Sequence, residues 1–200
     1  MTGSSIRRAL AAAAVLLALG AAACGSSSSG GSSTKGSAPK TKEVSPAGDI
    51  PDNQAYVAFT PPGGGFSVKV PEGWAQRSAS GAVVFTDKLN TIRIESHPAS
   101  AALTVQKARS GELSSLAHSV KGFKAGKVST VSRKGGTAVR MTYLASSPAD
   151  PVTGKTVIDA VERYVFFHKG RAVVLTLSGP KGADNVDPWR LVTDSLTWSA

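Results

Sequence analysis

Apolar and polar residues alternate strictly through Phe66-Ser67-Val68-Lys69-Val70, which places Phe66, Val68 and Val70 on one face of a predicted strand. Pro71-Glu72-Gly73 then turns the chain before Trp74. Similar patterns recur on both sides. Residues 56–59 form a short apolar-rich strand, stopped by Pro61-Pro62-Gly63-Gly64-Gly65. Residues 82–86 read as a strand, and Asp87 to Asn90 turn it into a strand over 91–97, with Ile92 and Ile94 inward and Arg93 and Glu95 outward. Further strands are predicted at about 127–133, 137–146, 156–168 and 171–178. Gly135-Gly136 and Lys169-Gly170 supply their hairpin turns.

The apolar period changes in two places. Leu113, Leu116, Ala117 and Val120 fall at i, i+3, i+4 and i+7, so residues 100 to about 120 predict a helix, although Gly111 lowers its propensity. Near the end, Asp187 is placed as an N-cap with Pro188 at the first helical position, and Trp189, Val192 and Leu196 mark the apolar face of a second helix. Strands followed by few helices give an α+β domain over 55–200. A chain of that length buries about two-thirds of its unfolded surface. Trp74, Trp189 and Trp198 read as core or capping residues. Tyr143 and Tyr164, on adjacent predicted strands, read as core residues with rim hydroxyls, the alternative being that they line one groove between sheet and helix.

The first 54 residues lack both periods. Arg7 and Arg8 precede an apolar run over 9–23 that ends in Gly20-Ala21-Ala22-Ala23, directly before Cys24, the sole cysteine. The run is too short to span a bilayer, which takes about 20 residues, and reads as a signal peptide over 1–23. Small residues before a cysteine resemble a lipobox, with Ala21 where Leu is usual. Cys24 is then the site of a diacylglyceryl group and a further acyl chain. Ala21 and Ala23 also satisfy the pattern for simple secretion, which would leave Cys24 an unpaired thiol. The absence of a partner cysteine and the Ser/Gly tract that follows favour lipidation. Arg7-Arg8 also resembles a twin-arginine signal without its preceding polar residue. Residues 24–54 are too poor in apolar residues to fold and read as a tether, or a glycosylated stalk. A flexible chain of this kind spans roughly 30 Å.

Charge adds one local feature. Without Arg7 and Arg8 the 23 basic residues fall to 21, against 13 acidic ones, so the chain from Cys24 carries +8. Residues 107–140 hold Lys107, Arg109, Lys121, Lys124, Lys127, Arg133, Lys134 and Arg140 against Glu112 alone, or +7. This segment is the candidate contact with anionic lipid or an acidic wall polymer; the alternative is a solvated face that keeps the protein soluble. The proline-containing loop over 146–155 is the second candidate. Export and the lack of interleaved aromatic residues, Phe123 aside, count against nucleic acid.

Catalytic and metal motifs are sparse. His97, His118 and His168 are far apart in sequence and lack zinc-ligand spacing. Asp184, Asn185 and Asp187 lack the twelve-residue calcium pattern and read as a turn and cap. No G-x-S-x-G or S-x-x-K string occurs. Asp194, beside Ser195, reads as solvated. Glu162 and His168, six residues apart on one strand, lie about 20 Å apart. Gly63 to Gly65 precede a strand, not a helix, and so form no phosphate loop. No metal, cofactor or catalytic residue is assigned.

The ordered strings carry a resemblance. Phe66-Ser67-Val68-Lys69-Val70-Pro71-Glu72-Gly73-Trp74 resembles the opening hairpin of PsbP-like domains. Gly136-Thr137-Ala138-Val139-Arg140-Met141-Thr142-Tyr143, the hairpin over 163–177 with Ser178-Gly179-Pro180, and the closing Ser195-Leu196-Thr197-Trp198 fit in the same order. The resemblance covers about 56–199. It implies an α/β/α sandwich around a central antiparallel sheet and action by binding, not catalysis. The family includes an extrinsic photosystem subunit, a nuclear-import factor that binds a small GTPase, and actinobacterial envelope lipoproteins. None of its functional residues maps onto a position in this chain. The expectation is a lipoprotein on the outer face of a cell membrane, docking onto an envelope component or a membrane complex such as a transporter. A small-molecule or lipid carrier is the alternative, and an envelope hydrolase the third reading.

Overall fold

The computed structural model describes residues 46–150 and 152–199. Cys24, the signal segment and the tether as far as residue 45 lie outside the described residues. The chain forms β1 (Tyr56–Phe59), β2 (Phe66–Pro71), β3 (Ala75–Ala79), β4 (Ala82–Thr86) and β5 (Thr91–Pro98). A helical stretch follows, with α1 (Val105–Lys107), a π-helical stretch Ala108–Glu112 and α2 (Leu113–Ser119). Next come β6 (Lys124–Arg133), β7 (Gly136–Ser146), β8 (Ile158–His168), β9 (Arg171–Pro180), α3 (Val186–Asp194) and β10 (Thr197–Trp198).

Seven strands make one antiparallel sheet in the order β3-β4-β5-β9-β8-β7-β6, and three make a smaller one, β1-β2-β10. The period-two pattern decides what each face meets. Val173, Leu175 and Leu177 of β9 cluster with Phe66, Val68 and Val70 of β2 and with Trp189, Val192 and Leu196. The alternate residues Ala172 and Val174 cluster instead with Ala108 and Leu113 of the helical stretch. One face of the large sheet is thus covered jointly by α3 and the small sheet, and the other by the 105–119 helix. The expected α+β class is present, with a covering layer on the first face that is part strand.

Several boundaries differ from expectation. The first helix starts at Val105, not residue 100, because Thr104 caps it by accepting from the Lys107 N–H at 3.2 Å. Ala117, counted in its apolar stripe, is exposed, and Gly111 sits in the π-helical stretch. The last helix begins at Val186, not at a cap on Asp187. Pro188 remains acceptable there because the first turn's N–H groups have no helical partner. Leu196 to Trp198 leave the helix, and Thr197 and Trp198 pair with Ser67 and Phe66. The β6–β7 turn is Lys134-Gly135, one residue early, whereas Lys169-Gly170 is as expected, with φ of 43° and 79°, the type I′ signature. β3 has no sequence signal because it is an exposed edge strand.

Residues 48–50, which composition assigns to the tether, are packed on the domain. Ile50 is buried, and its N–H donates to Asn185 Oδ1 at 2.8 Å. Asn185 Nδ2 donates to the Gly48 carbonyl at 2.9 Å.

Candidate functional site

The basic segment does not form a single patch. The 105–119 helix and β6 run in opposite directions along the sheet, so Lys107 and Lys134 lie at one end of the strands and Lys121 and Lys124 at the other. Lys127 sits at the β6 irregularity between Ala125 and Val128, where its N–H donates to Thr142 Oγ1 at 2.8 Å. Arg109 lies on the π-helical stretch and donates to the Val128 carbonyl at 3.4 Å. Lys107, Lys121, Lys124, Lys127 and Lys134 are exposed, and neither they nor Arg109 form an ion pair among the described residues. β6 is also an edge strand, and lysines with a bulge are a common way to keep such an edge from pairing with other chains.

Two members of the segment are taken up by the fold. Arg133 Nε donates to Thr193 Oγ1 at 3.0 Å and lies 3.8 Å from Asp194, while its Nη2 donates to the Tyr164 hydroxyl at 3.2 Å. The same guanidinium lies over the Tyr164 ring, 5.3 Å from its centroid. Tyr164 donates to Glu162, whose other oxygen is 3.2 Å from Arg140. Arg133 therefore braces α3 against the sheet, and Arg140 holds the Glu162 carboxylate to which Tyr164 bonds. Asp194, expected to be solvated, is paired with Arg133 and Arg190. A second chain of charges, Arg93–Glu95–Arg163–Glu112, lies between the sheet and the 105–119 helix.

The two tyrosines do not share a groove. Tyr143 pairs with Val161, three residues from Tyr164, so the rings point to opposite faces. Tyr143 packs on Phe123 at 5.3 Å, and Tyr164 stacks with Phe166 at 6.4 Å. All three tryptophans belong to the first-face cluster, with Trp198 also donating to the Gly135 carbonyl at 2.8 Å. The loop between β7 and β8 is exposed, and Asp150 orders it by accepting from Val152 and Thr153.

Two hollows flank these elements. One, about 420 Å³, lies between the start of α1 and the sheet, lined by Leu103, Val105, Val139, Val165 and Phe167 with Thr130 and Thr137. Its size falls within the usual range for small-molecule sites of roughly 300–1,000 Å³. The other, about 230 Å³, sits beside the β6 irregularity between Lys124, Thr142, Leu144, Ala160, Glu162 and Trp189. The first is a groove between helix and sheet, as the carrier alternative expects, and Tyr143 also lines the second; the remaining wall residues escaped the sequence reading because they come from strands distant in sequence. Among the described residues no group of three His, Cys, Asp or Glu is placed to hold a metal ion, and no helix is long and apolar enough to cross a membrane.

No protein-family model and no curated protein matches the chain. Solved structures do. The solution structure of cyanobacterial PsbP (CyanoP) from Synechocystis sp. PCC 6803 matches with a TM-score of 0.53 at 14% identity, covering 76% of this chain and 99% of that one. A crystal structure from Bacteroides thetaiotaomicron matches at 0.49 and 16% identity over 72% of this chain, which spans only 48% of that protein. LpqN, involved in cell envelope biogenesis of Mycobacterium tuberculosis, matches at 0.45 and 16% identity, covering 74% of this chain and 93% of that one. The likeness to CyanoP shows a PsbP-like fold.

Proposed function

We propose that this chain is a lipid-anchored, extracytoplasmic and non-catalytic binding module with the α/β/α layering of PsbP-like domains. It docks onto an envelope component or a membrane complex such as a transporter, in a cell of actinobacterial type. The observation that carries the reading is Cys24, set between an apolar run over 9–23 and a Ser/Gly-rich tract. Two acyl chains there give stable anchoring where one gives only marginal binding. The unpaired cations Lys107, Arg109, Lys121, Lys124, Lys127 and Lys134 support contact with an anionic partner. The test is metabolic acyl labelling of the full chain in an actinobacterial host. Label and membrane association are both expected to vanish in Cys24→Ala; label retained in that variant counts against the anchor.

A carrier is the second reading, and the 420 Å³ apolar hollow beneath α1 supports it. Native mass spectrometry of the protein purified from its host separates the two. A stoichiometric lipid or metabolite favours the carrier, and a co-purifying membrane protein favours docking.

A further inference from the structure

The two ends of the large sheet differ in charge. β9 runs from Arg171 to Pro180, and its neighbours place Pro98 and His168 opposite Arg171, and Asp159 opposite Pro180. The Arg171 end gathers residues 60–65, 97–107, 133–136 and 168–171. Ala99 donates to the Gly170 carbonyl at 2.9 Å, and Trp198 stacks on His168 at 5.1 Å while donating to Gly135. These stretches contain Lys107, Lys134, Lys169, Arg171, Arg133 and two histidines; the acids that border them are Asp194, paired with Arg133, and Glu112, which lines a hollow with His97 and Lys107. Among the described residues, Lys107, Lys134, Lys169 and Arg171 form no ion pair.

The Pro180 end lacks that basic excess. Residues 46–54, 87–90, 120–124, 147–157 and 181–187 hold Asp49, Asp52, Asp87, Asp150, Asp184 and Asp187 against Lys88, Lys121, Lys124, Lys155 and Lys181, or −1. The described chain begins here. The Asp49 N–H donates to the Pro46 carbonyl, and Asp49 accepts from the Asp184 N–H at 2.8 Å. Ten residues of β9 put about 30 Å between the ends, several times the screening length of roughly 8 Å in physiological salt, so the charge of one end is screened from the other.

We infer that the Arg171 end binds an anionic polymer bearing phosphate or carboxylate groups. The choice of a polymer over lipid headgroups rests on the anchored reading above, because the chain that carries Cys24 enters the described domain at the opposite, Pro180 end. Removing lysines from the Arg171 end therefore weakens polymer binding, whereas removing them from the Pro180 end does not.

The experiment uses the full acylated chain in phosphatidylcholine vesicles and the Cys24→Ala chain in solution, each titrated with poly(glycerol phosphate) and with phosphatidylglycerol vesicles. The combined variant Lys107→Gln, Lys134→Gln, Lys169→Gln is expected to bind the polymer about tenfold more weakly, with a log–log salt slope shallower by roughly 2. The matched variant Lys121→Gln, Lys124→Gln, Lys155→Gln is expected to stay within about twofold of the parent. Equal losses in the two variants, a larger loss in the second, tighter binding to phosphatidylglycerol than to polymer, or no salt-dependent polymer binding overturns the inference. Polymer binding that maps to the Arg171 end, together with a parent chain that takes up no acyl label in its host, sinks the anchor and leaves this surface standing.

Discussion

Asn185 Nδ2 donates to Asn90 Oδ1 at 2.9 Å, joining the entry of α3 to the β4–β5 turn across 95 residues of sequence. Both side chains are buried. Asn185 also accepts from the Ile50 N–H and donates to the Gly48 carbonyl, so one amide holds three separate stretches of chain. Gly179 lies so close beneath them that a Cβ there would overlap both amides.

Asn185→Ala leaves the Ile50 N–H, the Gly48 carbonyl and Asn90 Oδ1 unpaired in a dry site. The expected loss is about 2–4 kcal/mol, read from a urea unfolding curve. Asn185→Asp is expected to be at least as damaging, because a buried carboxylate would face two acceptor oxygens. A cost below about 1 kcal/mol for either variant would show that the three bonds are not coupled.

Tyr164→Phe keeps the stacking on Phe166 and the ring under Arg133, and removes only the hydroxyl between Arg133 and Glu162. It is expected to cost about 1–3 kcal/mol, because a partly buried guanidinium and carboxylate each lose a charge-assisted bond. If α3 is braced through this hydroxyl, hydrogen exchange in α3 should speed up in the variant. Unchanged exchange there would place the bracing elsewhere.

Two carboxylates give opposite pH dependence. Burial pushes Asp159 above the ordinary carboxylate range, and its Oδ1 has no hydrogen-bond partner among the described residues. Its proton is held more tightly in the folded state, so stability falls as pH rises from the ordinary range through the raised value. Burial also opposes ionisation of Glu95, but hydrogen bonds from Arg93 and Arg163 and their charges outweigh it and hold the group below the ordinary range. The Glu95 contribution is present above that range and is lost as pH falls through the lowered value. Asp159→Asn is therefore expected to raise stability at neutral pH, with the gain lost as pH falls below the ordinary carboxylate range. A gain that persists unchanged in acid would assign it to packing.

Period-two alternation made β2 and β5 legible because their side chains alternate between environments, and apolar runs between turn residues marked β4 and β7 to β9. β3 left no such trace, since its exposed residues bury little on either side. β10 was hidden because two residues after a helix carry no period of their own. The candidate surface was half legible. The cluster of cations in 107–140 is plain in composition, yet nothing local to Arg133 or Arg140 announces partners 22 to 61 residues away, in Tyr164, Glu162, Thr193 and Asp194.

By itself, the sequence determined the apolar faces of the strands, the Cys24 segment and the charge of each stretch, because these depend only on neighbours along the chain. Tertiary structure decided which stretches share an end of the sheet. Antiparallel pairing carries Lys107, Lys134, Lys169 and Arg171 to one end and the aspartate-rich turns to the other. That separation comes from strand direction and register, which bring together residues that no short-range pattern relates.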